Sequence, residues 1–255
     1  MLISTEEILS KSWNLYKKNW KNLSNYMLLI FLPTVILFIL DTANTYLYSI
    51  FGPSKTAIGA LALFFGLVAI GLVFMLWAAI ALSRALLKLV EDQPLPHWKE
   101  TFSQSNNLIW PVVYTSLLAG IIILGGTFLL IVPGIIFSVW YSFVFYIVAL
   151  EGKTGMSALR ESKAMVAGRW WGILWRLLAP AVVIGLGSSL IALILSAPFG
   201  LLVKDEFTRE ISTSIISSAI NAIFTPLSAL AAIALYASAK ANPVSNLPEQ
   251  TTPQV

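Results

Sequence analysis

Along the chain, long uninterrupted apolar runs alternate with short polar stretches in which lysine and arginine collect. A bilayer hydrocarbon core about 30 Å thick is crossed by about 20 helical residues, each rising about 1.5 Å. Six runs have or approach that length: Leu23 to Leu40, Ile58 to Leu82, Leu108 to Ile131, Gly134 to Leu150, Ile173 to Ala197 and Ile211 to Ala239. Their apolar residues are continuous rather than alternating, so the pattern predicts spanning helices and not a barrel. The third and fourth runs are parted only by Pro133-Gly134, read as a tight reversal because proline cannot continue the preceding helix and glycine permits the turn.

Between the runs the period changes. Ser4 to Trp20 and Thr154 to Trp170 carry the same pattern 150 residues apart. Ile8, Leu9, Ser12, Leu15, Tyr16 and Trp20 in one, and Ala158, Leu159, Ser162, Met165, Val166 and Trp170 in the other, fall on one helical stripe. Ser4 and Glu7 fit a capping box. Lys11, Lys17 and Lys18, and in the second copy Arg160, Lys163 and Arg169, leave mainly from the other faces. Such helices are too polar to span and are predicted to lie in the headgroup layer with tryptophan at the membrane-entry end. A weaker third version runs from His97 to Trp110, with Trp98, Phe102, Ser105 and Ile109 on a stripe.

The fold these patterns predict is an all-α integral membrane protein with six transmembrane helices in three hairpins. Each hairpin is preceded by a cytoplasmic-side interfacial amphipathic helix, and the units repeat in parallel. Residues 1–241 form one transmembrane domain with units of about 4–92, 93–152 and 153–241, and 242–255 is a polar, proline-containing tail expected to be disordered.

Composition agrees, with 58% hydrophobic and 11% charged residues and a mean hydropathy of +0.82. Charge adds orientation. With the amino terminus inside, that side receives thirteen of the sixteen basic residues, and the other side only Lys55, Lys204 and Arg209. Basic residues near span ends resist translocation, so both termini are predicted cytoplasmic in a multi-pass cell-membrane protein. The net charge of +4 is then a matter of topology and anionic lipid, with no nucleic-acid partner implied. No short apolar core with a small-residue cleavage site follows Met1, and the first span is expected to act as the insertion signal.

The run Val132-Pro133-Gly134-Ile135-Ile136, then Trp140-Tyr141-Ser142-Phe143, Val148-Ala149-Leu150-Glu151-Gly152, Ala158-Leu159-Arg160-Glu161-Ser162 and Gly168-Arg169-Trp170-Trp171 resembles the membrane domain of some glycerophosphodiester phosphodiesterases. It also resembles a broad set of uncharacterised prokaryotic multi-span proteins. The likeness is tightest over about 132 to 178. It implies a helical membrane domain of bacterial or archaeal type; the hydrolase of such proteins is a separate soluble domain with no counterpart in this sequence, so the activity does not carry over.

Candidate chemistry is sparse. There is no cysteine, and His97 is the sole histidine, read as a solvated loop residue. No Gly-x-Ser-x-Gly, His-Glu-x-x-His, Walker A or dinucleotide-binding pattern occurs. Gly185-Leu186-Gly187-Ser188-Ser189 sits inside an apolar run, where small residues serve close packing. No enzyme, cofactor or metal is therefore expected. Glu151, at the end of the fourth run, is read as pinning the second amphipathic helix through Arg160 and Lys163, and Arg84 as a snorkelling side chain. The expected lipid-headgroup or partner contacts are Lys11, Lys17, Lys18, Lys21, Arg160, Lys163, Arg169 and Arg176. Trp20, Trp110, Trp170 and Trp171 are the expected interfacial anchors, and Pro133, Gly134 and Glu151 the structural positions. The function expected is a non-catalytic membrane protein that binds anionic lipid or docks an unknown protein partner. The alternative is a transporter or channel-like path for a small solute or lipid, with Thr34, Thr115, Ser138 and Ser188 as weak midplane candidates.

Overall fold

The computed structural model describes residues 2–51 and 55–243; residues 244–255, most of the expected tail, lie outside the described residues. The described chain is helical, with no strand among its elements. In order they are α1 (Thr5–Phe51), α2 (Lys55–Val90), α3 (Trp98–Ser105), a 3-10 turn (Asn106–Leu108), α4 (Ile109–Leu129) and α5 (Ile131–Trp140). There follow α6 (Val144–Tyr146), a π-helical turn (Ile147–Glu151), α7 (Gly155–Val166), α8 (Trp170–Leu202) and α9 (Glu206–Ala241).

Six helical stretches are long and apolar enough to cross a membrane: Thr5–Thr42, Leu61–Val90, Trp98–Leu129, Ile131–Glu151, Trp170–Leu202 and Glu206–Ala241. By length and composition this is a multi-pass membrane protein. Its outward surface is what such a protein requires: large aliphatic and aromatic side chains face outward along α1, α2, α4 and α8, up to Phe128 and Leu201 at 91% and 85% exposure. In water a belt of that extent would drive association; in hydrocarbon it costs nothing.

Consecutive long helices pack on each other, α1 on α2, α4 on α5 and α8 on α9, and α9 also touches α1 and α2. The central position of α9 shows in burial: half of its most apolar window is covered by protein, against 11% for the corresponding windows of α1 and α2. The Ile3 amide donates to Ser238 Oγ at 2.9 Å and the Tyr16 hydroxyl to the Ile223 carbonyl at 3.1 Å. Those bonds, 13 residues apart on one segment and 15 on the other, hold the start of the chain antiparallel to α9 for about four turns.

Two predicted features are corrected. Ser4 to Trp20 is not a separate interfacial helix. Ser4 Oγ does cap the first turn, accepting from the Glu7 amide at 3.1 Å, but α1 then runs 47 residues without interruption, about 70 Å along its axis. No glycine or proline stands between residues 5 and 32 to stop it. The first part of its stripe, with the fully buried Ile8 and Ser12, packs on protein, and Trp20 at its end is exposed. The second correction concerns Pro133-Gly134. The reversal between α4 and α5 falls at Leu130, extended at φ −164° and ψ 149°. Pro133 lies in the first turn of α5, where a missing N–H loses no bond. Gly134 is there for close approach: a Cβ on it would collide with the Thr127 side chain and stand 3.0 Å from the Thr127 Cα.

Candidate functional site at the basic end of the bundle

The amino terminus, the end of α2, the π-helical turn, α7 and the end of α9 converge at one end of the bundle, and each terminus there is closed in its own way. At the end of α2, Asp92 takes a left-handed conformation, φ 59°. The Gln93 amide reaches the Lys88 carbonyl at 2.8 Å and the Asp92 amide reaches that of Leu89 at 3.2 Å. This is a Schellman closure. Lys11 Nζ donates to the Val90 carbonyl at 3.2 Å, a cation at the negative end of the helix. His97 is exposed, as expected, and is also the N-cap of α3, its Nδ1 accepting from the Lys99 amide at 3.4 Å. α3 is fixed against α1 and α2 by Trp77 Nε1 donating to the Phe102 carbonyl at 2.9 Å and Tyr26 Oη to Thr101 Oγ1 at 3.1 Å.

Glu151 ends the π-helical turn, and Gly152 follows it at φ 71°. Its carboxylate accepts from the Tyr236 hydroxyl, from Lys240 Nζ at 2.7 Å and from Lys153 Nζ at 3.0 Å. Lys153 also reaches Glu161 on α7 at 2.8 Å. The Glu161 and Glu151 carboxylates together hold the Lys153 ammonium above its ordinary pKa. The carboxylate thus joins the fourth span to α9, and reaches α7 only by way of Lys153 and Glu161. The predicted partners Arg160 and Lys163 are not on it: Arg160 is exposed, and Lys163 Nζ sits 4.2 Å over the Trp140 ring.

The eight predicted headgroup residues divide. Arg169 donates to the carbonyls of Met165 at 2.8 Å, Ala239 at 2.8 Å and Asn242 at 2.5 Å, closing the end of α9. Burial pushes its guanidinium below the ordinary value, and three carbonyls compensate. Arg176 donates to the Ile3 carbonyl at 2.6 Å and to that of Gly172 at 3.0 Å, tying the amino terminus to α8. With Lys11 on Val90, three of the eight are engaged by backbone carbonyls of the fold while still partly exposed. Lys17, Lys18, Lys21 and Arg160 are exposed and form no ion pair or side-chain hydrogen bond among the described residues. Of the four tryptophans, Trp20, Trp110 and Trp171 are more than half exposed. Trp170 is packed against the core and meets Trp171 edge-on at 4.7 Å.

A cleft opens between these pieces. One half is lined by Arg84, Leu87, Lys88, Glu91, Gln93, Pro96, Thr101, Gln104 and Leu150. It continues past Leu87, Glu91 and Leu150 to Glu151, Tyr236, Ala237, Lys240 and Ala241. Sequence reasoning missed Tyr236 and Lys240 as partners of Glu151 because they lie 85 or more residues away with no local signal. Arg84 and Lys88 carried one, two cations four residues apart and hence on one face of α2.

The proposed midplane hydroxyls do not assemble into a site. Thr34, Ser138 and Ser188 donate within their own helices, and Thr115 Oγ1 accepts from the Gly155 amide at 2.9 Å, holding the start of α7. Among the described residues no three His, Cys, Asp or Glu side chains are grouped to hold a metal ion.

Fold and site together define a multi-pass helical membrane protein with a cationic end built around a charged cleft. Residues 57–239 match the family model described as a domain of unknown function, DUF7847, and the chain belongs to that family. The matched region contains segment 132 to 178 and leaves all of α1 outside. No curated protein matches the chain, and no solved structure does.

Proposed function

We propose that this is a non-catalytic polytopic protein of the cell membrane that holds anionic lipid, or a partner bearing the same charge, at its basic end. Both termini are then cytoplasmic. The observation that carries this reading is the division of cations at that end. Lys11, Arg169, Arg176, Lys153 and Lys240 are engaged within the protein, and Lys17, Lys18, Lys21 and Arg160 remain exposed and unengaged. Each basic residue near an anionic surface contributes about 1 kcal/mol, so four give a usable affinity. The likeness of segment 132 to 178 to phosphodiesterase membrane domains supports a helical module of this kind and nothing catalytic.

The test has two parts. With no native cysteine, single cysteines in place of Tyr48 or Val203 should react with an impermeant thiol reagent on intact cells, and those in place of Asn14 or Met156 should not; the reverse pattern overturns the orientation. Native mass spectrometry of the purified protein should then show phosphatidylglycerol lost when Lys17, Lys18, Lys21 and Arg160 are replaced by glutamine. Retention equal to that of the parent protein would refute lipid binding by these residues.

A second reading, a path for a small solute or lipid, is favoured by one feature. Asn221 and Ser228 are exposed on α9 inside a candidate span, and Thr225 lies on the same helical face. A cysteine at Asn221 reactive toward a hydrophilic reagent would support it, and an unreactive one would remove it.

A further inference from the structure

We infer that the half of the cleft lined by Arg84 and Lys88 is a binding site for a phosphate group, and that the phosphate is that of a lipid headgroup. The inference deepens the proposed lipid binding by moving its specific part from the exposed surface of α1 into the cleft.

Three observations carry it. Arg84 and Lys88 stand one turn apart on α2 and both line the cleft, so their charges converge. Neither forms an ion pair or a side-chain hydrogen bond among the described residues, although lysines and arginines nearby on α1, α8 and α9 do. Both are only partly exposed, so water does not fully replace a missing partner, and a charge in that setting attracts an anion more strongly than a fully solvated one. Lys88 alone has an ordinary explanation, a cation in the last turn offsetting the helix dipole. Arg84 lies a turn and more further in, beyond the reach of that effect, and its planar fork matches two phosphate oxygens.

Position selects the source of the phosphate. The exposed large apolar side chains of α2 end at Val73, and Arg84 follows 11 residues later, about 16 Å further along the axis. With that apolar stretch in the hydrocarbon core, Arg84 falls at headgroup depth. Glu91, at the mouth, opposes an anion; it is exposed and screened, and its effect is to keep the ligand exchangeable.

Phosphatidylglycerol retention by native mass spectrometry, with the full chain in detergent, tests this. R84Q/K88Q should weaken retention about tenfold or more, two cations at about 1 kcal/mol each, while R84K/K88R keeps most of it. E91Q should raise retention, a gain that a folding defect cannot produce. Millimolar inorganic phosphate should fail to displace the lipid; displacement would assign the cleft to free phosphate and overturn the lipid assignment. Equal retention by parent and R84Q/K88Q, or a fall with E91Q, overturns the site. If the exposed-lysine variant loses lipid and R84Q/K88Q keeps it, the broader proposal stands and this one falls; if neither variant loses lipid, both fall.

Discussion

Residues 5–20 and 155–170 carry the same stripe of apolar and small positions, yet one becomes the beginning of a 47-residue helix and the other a separate 12-residue helix with its own start and stop. The difference lies at three glycines. Gly152, Gly155 and Gly168 sit at φ 71°, 58° and 81°, a region other residues enter at a cost of about 1 kcal/mol or more. They bracket α7 and turn the chain at both ends. The corresponding positions of the first segment hold Leu2, Thr5 and Lys18, none of which asks for a turn. A shared hydrophobic stripe therefore specifies which face is covered; residues off the stripe decide whether the helix stops.

The serines shared by the two segments show the same contrast at the level of hydrogen bonding. Ser162 is fully buried and lies beside the break in the fourth span, where the helix is interrupted over Tyr141–Phe143. Its hydroxyl donates to the Trp140 carbonyl at 2.6 Å and accepts from the Phe143 amide at 3.2 Å. One side chain thus satisfies two backbone groups the break would orphan. Ser12 is equally buried, and its hydroxyl has no partner.

The largest effect is expected from Ser162→Ala. Both backbone groups lose their partner in a site closed to water, a loss of about 2 to 4 kcal/mol, read as a shift in SDS-titrated unfolding in mixed micelles. Amide exchange at 141–146 should accelerate more than elsewhere. A loss under 0.5 kcal/mol would show that the break is satisfied some other way.

Gly168→Ala should come next, at about 1 to 2 kcal/mol, because a Cβ is strained at φ 81° whatever the space around it. The reciprocal change, Lys18→Gly, tests whether the break can be transplanted. It should cost only about 1 kcal/mol, the ordinary price of glycine in an exposed helix interior, and leave α1 continuous because Tyr16 before it is bonded to α9 and Leu23 and Tyr26 after it are buried in one cluster with Leu230 and Ile233 of α9. Electron paramagnetic resonance distances between spin labels at residues 14 and 28 would check this. A shortening of several ångströms would mean that Lys18, and not the packing on α9, keeps the helix straight.

Much of the architecture was legible because it rests on one-dimensional rules. Apolar run length gave the spans, and the Ser4 cap followed from local spacing. What resisted reading depended on partners distant in sequence. The stripe of residues 5–20 suits a lipid surface as well as it suits α9, and only tertiary contact chooses between them. Pro133-Gly134 is compatible with a turn, a first helical turn or a crossing point, and Thr127 decides. Arg169 and Arg176 look like any interfacial arginines until the carbonyls of Ala239, Asn242 and Ile3 are placed beside them. For the cleft, the spacing of Arg84 and Lys88 was visible, whereas their lack of a partner could be read only after every neighbouring carboxylate had been located.

The smallest effect, and the sharpest for the comparison, belongs to Ser12→Ala. If the two serines do the same work, the substitution should resemble Ser162→Ala. The geometry says otherwise: Ser12 Oγ is buried with no hydrogen-bond partner, so removing it deletes a desolvated polar atom and leaves no backbone group unpaired. The balance is a methyl-sized change in packing against the relief of burying an unpaired hydroxyl, and the net should lie between neutral and about 1 kcal/mol of stabilisation. The same micellar unfolding assay reads it, with no change in amide exchange at 141–146. A loss above about 1 kcal/mol would mean that Ser12 holds a partner, such as a buried water, and that the two segments are equivalent in mechanism as well as in pattern.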